Sequence, residues 1–250
     1  MTLEGRTALI TGGGRGIGKG IAVAMAEAGA DVGIVYRRDE DAARETVAEI
    51  ESFGRKAAMF KASVEDEGAV KEVVSQAIAV FGKIDILVNN AGIASRGNSV
   101  LDTDSEEMRR VVRIHVFGSF YFSQAVLPVM RRQPRGDIIF VSSVAAEALN
   151  ANGAPYNIAK AGMEALAMTL AKEERPNGIR VNVLRPGLVE TEMGRRLAKA
   201  TQGVQDLREL YASSPFGRVG IPSDLGHAAV FLASAQGEYV TGATIKISGG

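Results

Sequence analysis

The chain has no cysteine in its 250 residues, which excludes disulfides, thiol catalysis and thiolate metal sites and suits a reducing compartment. Histidine is almost missing too: only His115 and His227 occur, and no His/carboxylate cluster has metal-ligand spacing, so no metal is expected. Neither sign of charge prevails, with Lys+Arg and Asp+Glu at 29 each, so no global field recruits nucleic acid or an anionic membrane. No apolar run reaches about 18 residues without a charge, so no spanning helix is expected. The chain enters a strand-like run at Arg6 with no charged-then-apolar leader. Repeats, low-complexity segments and linker-like shifts of composition are also missing. These absences lead us to expect a soluble, cytoplasmic protein built as one domain over 1–250.

What is present is an alternation of apolar runs and amphipathic stretches. A hydrophobic fraction of 46% allows a sizeable core, and the 29 glycines fall at turns. Strand-like runs occur at 6–11, 31–36, 57–62, 84–89, 137–142, 180–184 and 244–247, and helical spacing at 19–28, 39–53, 66–81, 105–130, 156–174 and 223–233. Strands separated by helices call for parallel pairing with helices on both faces, an α/β, doubly wound sheet of about seven strands. The least regular long segment, 187–222, mixes Glu190, Glu192, Arg195, Arg196 and Lys199 with scattered apolar residues. It reads as a substrate lid or as two surface helices.

Thr11-Gly-Gly-Gly-Arg-Gly-Ile-Gly18 lies between the first strand and its helix. Glycines there permit a tight turn, let the backbone approach a pyrophosphate and expose helix N-terminal amides to it. An acidic residue about 20 positions on would hold the 2′-hydroxyl of NAD. Here the second strand ends Val35-Tyr36-Arg37-Arg38, and Arg15 sits inside the loop. Arginines suit a 2′-phosphate through their permanently charged fork, which favours NADP(H). NAD(H) stays open, with Asp39 as the ribose acid. Further along, Tyr156 and Lys160 stand four apart on an alanine-rich helical stretch, hence on one face about a turn apart. A nearby ammonium favours the phenolate, so the tyrosine pKa is expected to fall towards the working pH.

Together, Thr11–Gly18, Asn89-Asn-Ala-Gly92, Ser143, Tyr156 and Lys160 make the chain closely similar to a short-chain dehydrogenase/reductase, and within that family it resembles 3-oxoacyl-carrier-protein reductases. The resemblance covers essentially the whole chain and implies a single Rossmann-type domain and a homotetramer built partly through the helices at 105–130 and 156–174. Residue by residue, it implies cofactor contacts from Gly12, Arg15, Gly16, Ile17, Gly18, Arg37, Ser63, Val64, Asn90, Tyr156, Lys160, Pro186, Gly187, Val189 and Thr191. Ser143, thirteen residues before Tyr156, is preferred over Ser142 as the group that hydrogen-bonds the substrate carbonyl. Tyr156 then protonates that oxygen, and Lys160 stabilises the phenolate and holds the nicotinamide ribose.

Several residues depart from the family pattern. His115 occupies the position of an asparagine that anchors a relay water. Three readings stand for it: a substitute in the relay whose pKa near 6.5 adds a titration, a packed histidine beside a rearranged relay, or an impaired enzyme. Arg185 replaces a small residue before Pro186-Gly187 and reads either as a receptor for an acidic group or as a solvated cation. Arg131, Arg132, Arg135, Lys172 and Arg175 read as a dock for an acidic carrier protein or as ordinary complements to helix C-termini. The leading expectation is NADPH-dependent reduction of a small or acyl-carrier-linked carbonyl compound. The alternatives are an NAD(P)-dependent alcohol or sugar dehydrogenase and a non-catalytic cofactor-binding regulator.

Overall fold

The structure, a computed structural model, describes residues 1–250 with the side chain of Pro215 excepted. Seven strands, β1 (Thr7–Thr11), β2 (Asp31–Tyr36), β3 (Ala57–Lys61), β4 (Ile86–Asn89), β5 (Gly136–Val141), β6 (Ile179–Pro186) and β7 (Thr244–Ile247), form one sheet. Their order is β3-β2-β1-β4-β5-β6-β7, and each neighbouring pair is parallel. Nine α-helices are described: α1 (Gly16–Glu27), α2 (Glu40–Ser52), α3 (Glu67–Phe81), α4 (Ser105–Val112), α5 (Gly118–Met130), α6 (Ala145–Ala148), α7 (Ala154–Glu174), α8 (Glu192–Gln202) and α9 (Pro222–Ala233).

The sheet is covered on both faces, which is why its strands read as unbroken apolar runs. All five residues of β1 and all six of β5 are buried. Alternate residues feed two separate cores, as the twofold side-chain period requires. Ala8 and Ile10 pack with Ile21, Met25, Ile34 and Leu225 under α1, α2 and α9. Leu9 packs on the other side with Phe122, Phe140, Met163 and Leu170 under α3, α5 and α7. The two outer strands are less covered: β3 buries only Phe60, and the side chains of β7 alternate between exposed and half-buried.

The chain winds outward from β1 in both directions, first through β2 to β3 and then through β4 to β7. The crevice beyond the C-terminal ends of β1 and β4 is therefore the switch point where open α/β sheets bind ligands. At the opposite end of the sheet a buried carboxylate organises the strand starts. Asp137, 2% exposed, receives Arg6 at 2.7 Å, Arg135 at 3.3 Å and Arg180. The same arginines also donate to backbone carbonyls of Leu232, Ala233 and Ser234 at the C-terminal end of α9.

Two stretches differ from expectation. The helix expected over 105–130 is interrupted by a π-helical turn at Arg113–Phe117. An extra residue is accommodated there without loss of helical dihedrals and without a capping bond, so its trace in the sequence is a one-residue slip in apolar spacing and not a break. The stretch 187–222 is also better ordered than its composition suggests. Thr191 caps α8 by accepting from the Gly194 amide, and a 3-10 turn covers Leu207–Ser213. Ala198, Leu207 and Val219 form a small core of their own with Leu188, Val204, Leu210 and Tyr211. Among the described residues, no helix is long and apolar enough to cross a membrane, and no group of three or more His, Cys, Asp or Glu could hold a metal.

Candidate active site

The glycine loop leaves β1 at the switch point. Gly12 and Gly16 have φ of +66° and +56°, the left-handed region that a side chain resists. A β-carbon on Gly18 would collide with the Gly12 carbonyl, so the first turn of α1 can sit against the loop only as glycine. That turn carries no acidic residue and its N-cap side chain makes no capping bond, which leaves its amides free for an anion. Asn90 braces the loop, donating to the carbonyls of Thr11 at 2.9 Å and Gly12 at 3.2 Å, while Thr11 Oγ1 accepts from the amides of Asn90 and Ala91. Ile17 lies half-buried in the first turn of α1. Thr191 faces Gly16 across the crevice, and Val189 bridges to Gly220 behind it. Pro186 ends β6, and the Gly187 amide donates to Ile247 at 3.0 Å.

Just beyond the end of β2, Arg37 lies among like charges. Its pKa is lowered first by burial and then by Arg38, Arg110 and Arg15, with Glu65 acting against them. Arg15 is itself held by Glu192 at 3.1 Å and Asp39 at 3.8 Å. Asp39 is occupied as the N-cap of α2, accepting from Ala42. Ser63 reaches Glu65 at 3.4 Å, and Val64 packs where a β-carbon on Gly118 would fall. Arg110, on α4, was not among the expected site residues. It lies far from the glycine loop in sequence, and nothing in its local pattern sets it apart from a solvated helix arginine.

Ser143, Tyr156, Lys160 and His115 come from four places: the loop after β5, the first and second turns of α7, and the π turn. Ser143 lies beside the Tyr156 side chain and pulls its pKa down, and its Oγ accepts from the Ala145 amide at 3.2 Å. Lys160 is 3% exposed and donates to the Val141 carbonyl at 2.7 Å, with the Met163 sulfur at 3.7 Å. Its Nζ lies over the Tyr156 ring, 5.6 Å from the centroid. The expectation of a depressed phenol is not met. Burial raises the Tyr156 pKa, against a smaller pull from Ser143. Burial also lowers Lys160 to about 7, with the Glu164 carboxylate opposing.

His115 is 1% exposed and meets the Tyr156 ring edge-on, centroids 5.5 Å apart. Its Nε2 lies 2.8 Å from the Ile93 carbonyl and 3.0 Å from the Ile93 amide, and Nδ1 is buried with no partner in the protein. A β-carbon on Gly92 would run into the imidazole, so this glycine makes room for the ring. Burial, with Lys160 nearby, drives the His115 pKa down to about 3, so it adds no titration near neutrality, contrary to expectation. The imidazole is neutral, and one ring nitrogen remains free to make a hydrogen bond.

Arg185 is no open receptor. It grips Glu164 through Nε at 3.0 Å and Nη2 at 2.6 Å, and Glu147 through Nη1 at 2.6 Å. Sequence reading missed Glu164, although its place four residues after Lys160 puts both on one face of α7. The expected basic dock is reduced as well. Arg131 is tied to buried Glu174, and Arg135 is turned inward to Asp137.

Comparison with known proteins agrees with this architecture. A family model described as enoyl-(acyl carrier protein) reductase matches residues 12–250. The chain belongs to the short-chain dehydrogenase/reductase family. It is 37% identical over 250 residues to an L-rhamnose 1-dehydrogenase (NAD(P)(+)) of Sphingomonas sp. (strain SKA58), covering 99% of this chain and 96% of the relative. It is 36% identical over 251 residues to the 3-oxoacyl-[acyl-carrier-protein] reductase FabG of Escherichia coli (strain K12), covering 100% and 98%. The crystal structure of NAD+-bound xylitol dehydrogenase superposes with a TM-score of 0.92 at 29% identity, covering all of both chains.

Proposed function

We propose that this short-chain dehydrogenase/reductase is an NADPH-dependent carbonyl reductase that turns a small ketone or a 3-oxoacyl thioester into a secondary alcohol. The observation that carries the direction is the state of Tyr156. Its burial beside Ser143 keeps the phenol protonated, the form that gives a proton away. The switch-point crevice fits a dinucleotide. Gly12, Gly16 and Gly18, with the uncapped N-terminus of α1, would hold the diphosphate, while Arg15 and Arg37 would meet the 2′-phosphate. Ser63, Val64 and Asn90 would border the adenosine side, and Pro186, Gly187, Val189 and Thr191 the nicotinamide side. The bound cofactor supplies the hydride.

The chain's own residues then manage one oxygen and one proton. Ser143 donates to the substrate carbonyl oxygen and fixes its position. Tyr156 hands its proton to that oxygen as negative charge develops there. Lys160, with a pKa of about 7, has an ammonium available near neutrality to stabilise the phenolate left behind and to return a proton to it. His115 stays neutral and offers Nδ1 to a water in this relay. The stretch 187–222, with its own small core, closes over the substrate. Exposed Phe117 and Phe120 on the outer helices support a homotetramer joined through α5 and α7.

The second reading is oxidation of a sugar or alcohol with NAD(P). It is favoured by the 37% identity to a protein named as a rhamnose dehydrogenase. The deciding experiment follows NADPH and NADH consumption with a panel of ketones and 3-oxoacyl thioesters, against NADP or NAD reduction with sugars. Faster ketone reduction with NADPH is expected. A preference for NADH sinks the cofactor assignment, faster sugar oxidation sinks the direction, and turnover in none of the arms sinks the enzyme reading in favour of a cofactor-binding regulator.

A further inference from the structure

Around Glu164 a chain of charges connects several pieces of the site. Ser142, the neighbour of Ser143, donates to Glu164 Oε1 at 2.6 Å. Arg185 clasps both Glu164 oxygens from β6, one residue before Pro186 and two before Gly187. Its remaining arm reaches Glu147 on α6, the short helix that follows Ser143, and Lys246 of β7 lies 3.9 Å from the same carboxylate. Glu164 and Arg185 are largely shielded, with side chains 14% and 18% exposed, whereas Glu147 is 53% exposed. A fork that holds a shielded carboxylate by two bonds fixes orientation as well as distance.

We propose that Glu164 and Arg185 are a positioning pair for the reaction, locking the Ser143 loop to the helix that presents Tyr156 and Lys160 and to the strand end that meets the nicotinamide. The inference rests on the reductase reading above. Neither residue touches the reacting atoms. Glu164 acts on Ser143 through Ser142 and on Lys160 as the nearest anion along α7. The groups that face Lys160 are Tyr156 and Glu164 from its own helix, His115 from the π turn and the Val141 carbonyl from β5. Arg185 and Glu147 stand behind Glu164.

The test compares Glu164→Gln, Glu164→Ala, Arg185→Met and Arg185→Lys in the full chain, with two readouts. The first is the pH profile of kcat/KM for ketone reduction. Glu164→Gln removes the anion that favours charged Lys160, so its alkaline limb moves to lower pH. Arg185→Met leaves that anion uncompensated and moves the limb to higher pH. Arg185→Lys keeps the charge but loses the fork, so its limb stays in place. In Glu164→Ala, kcat falls about 10- to 100-fold, the usual cost of a small misplacement, while KM for NADPH stays within about two-fold. The second readout is amide hydrogen exchange over 143–152, which needs no turnover and quickens in Glu164→Ala, Arg185→Met and Arg185→Lys. Unchanged exchange there overturns the proposal. So does a loss of melting temperature in Glu164→Gln and Arg185→Met with no movement of their alkaline limbs, because the pair would then only support the fold. A wild-type chain that reduces no carbonyl defeats the reductase reading instead, and exchange alone then decides whether the clamp exists.

Discussion

At the start of β5 a buried carboxylate, Asp137, is met by three guanidiniums, whereas at the end of the same strand a buried amine, Lys160, is met by one carbonyl and a thioether. Both ends of the sheet bury charge; they differ in how completely they answer it. Burial drives the Asp137 pKa up while Arg6 and Arg135 pull it back, and with donors on both oxygens the ionised form is the satisfied one. At the other end Lys160 falls to about 7, Tyr156 rises, and Nδ1 of His115 has no partner. Where every charge is paired the side chains hold strands together. Where the pairing stops short, protons can move at modest cost.

Four experiments break or sharpen that contrast. The largest effect belongs to Tyr156→Phe, which removes the transferable proton. Turnover should fall about 10²- to 10⁴-fold, while the melting temperature stays essentially that of the parent, measured by steady-state kinetics and thermal unfolding. Asp137→Ala should do the reverse. Leaving three guanidiniums without their anion costs about 3–5 kcal/mol, read by urea unfolding, while the folded fraction keeps its kcat. If Asp137→Ala impaired chemistry without destabilising the chain, the two ends would not differ as argued. Next comes Arg37→Ala, expected to raise KM for NADPH about 10- to 100-fold, the worth of one charged hydrogen bond, and to leave KM for NADH unchanged.

The smallest effect concerns His115. The folded chain keeps it unprotonated down to about pH 3, whereas the unfolded chain takes the proton near the ordinary value of 6.5. The unfolded state therefore binds more protons across that window, and stability drops as pH falls through it, by about 1.4 kcal/mol per pH unit at most. His115→Asn should flatten this slope, compared by urea unfolding between neutral and mildly acidic pH. The same variant should retain ketone reduction, since asparagine can also anchor a water; a large loss counts against that equivalence.

Much of this was legible in the sequence, for identifiable reasons. Strands covered on both faces leave continuous apolar runs, so β1 and β2 fall where the pattern put them, and the open edge strand β7 keeps an alternating one. Loop glycines are forced by geometry, as Gly18 against the Gly12 carbonyl makes plain. Electrostatic states were not legible. That Lys160 donates to the Val141 carbonyl depends on packing between β5 and α7, which no i,i+4 spacing records. Arg185 looked free because its partners lie 21 and 38 residues away along the chain. The order within 187–222 escaped notice because its apolar residues serve a small private core rather than the periodic face of a sheet-covering helix.

The π turn at Arg113–Phe117 carries a consequence for how this molecule can change. A helix holding one surplus residue is two helices whose faces are set out of phase, by about 100° for the single residue. The half before the turn presents Arg110 towards the cofactor crevice, and the half after it buries Phe122 and Val126 in the core. Deleting one residue within the turn would restore a regular pitch and leave both halves facing as they do, but it would remove the wide turn that seats His115 edge-on against Tyr156. Length there is under tighter constraint than identity: another side chain at 115 keeps the seat, whereas a shorter turn loses it.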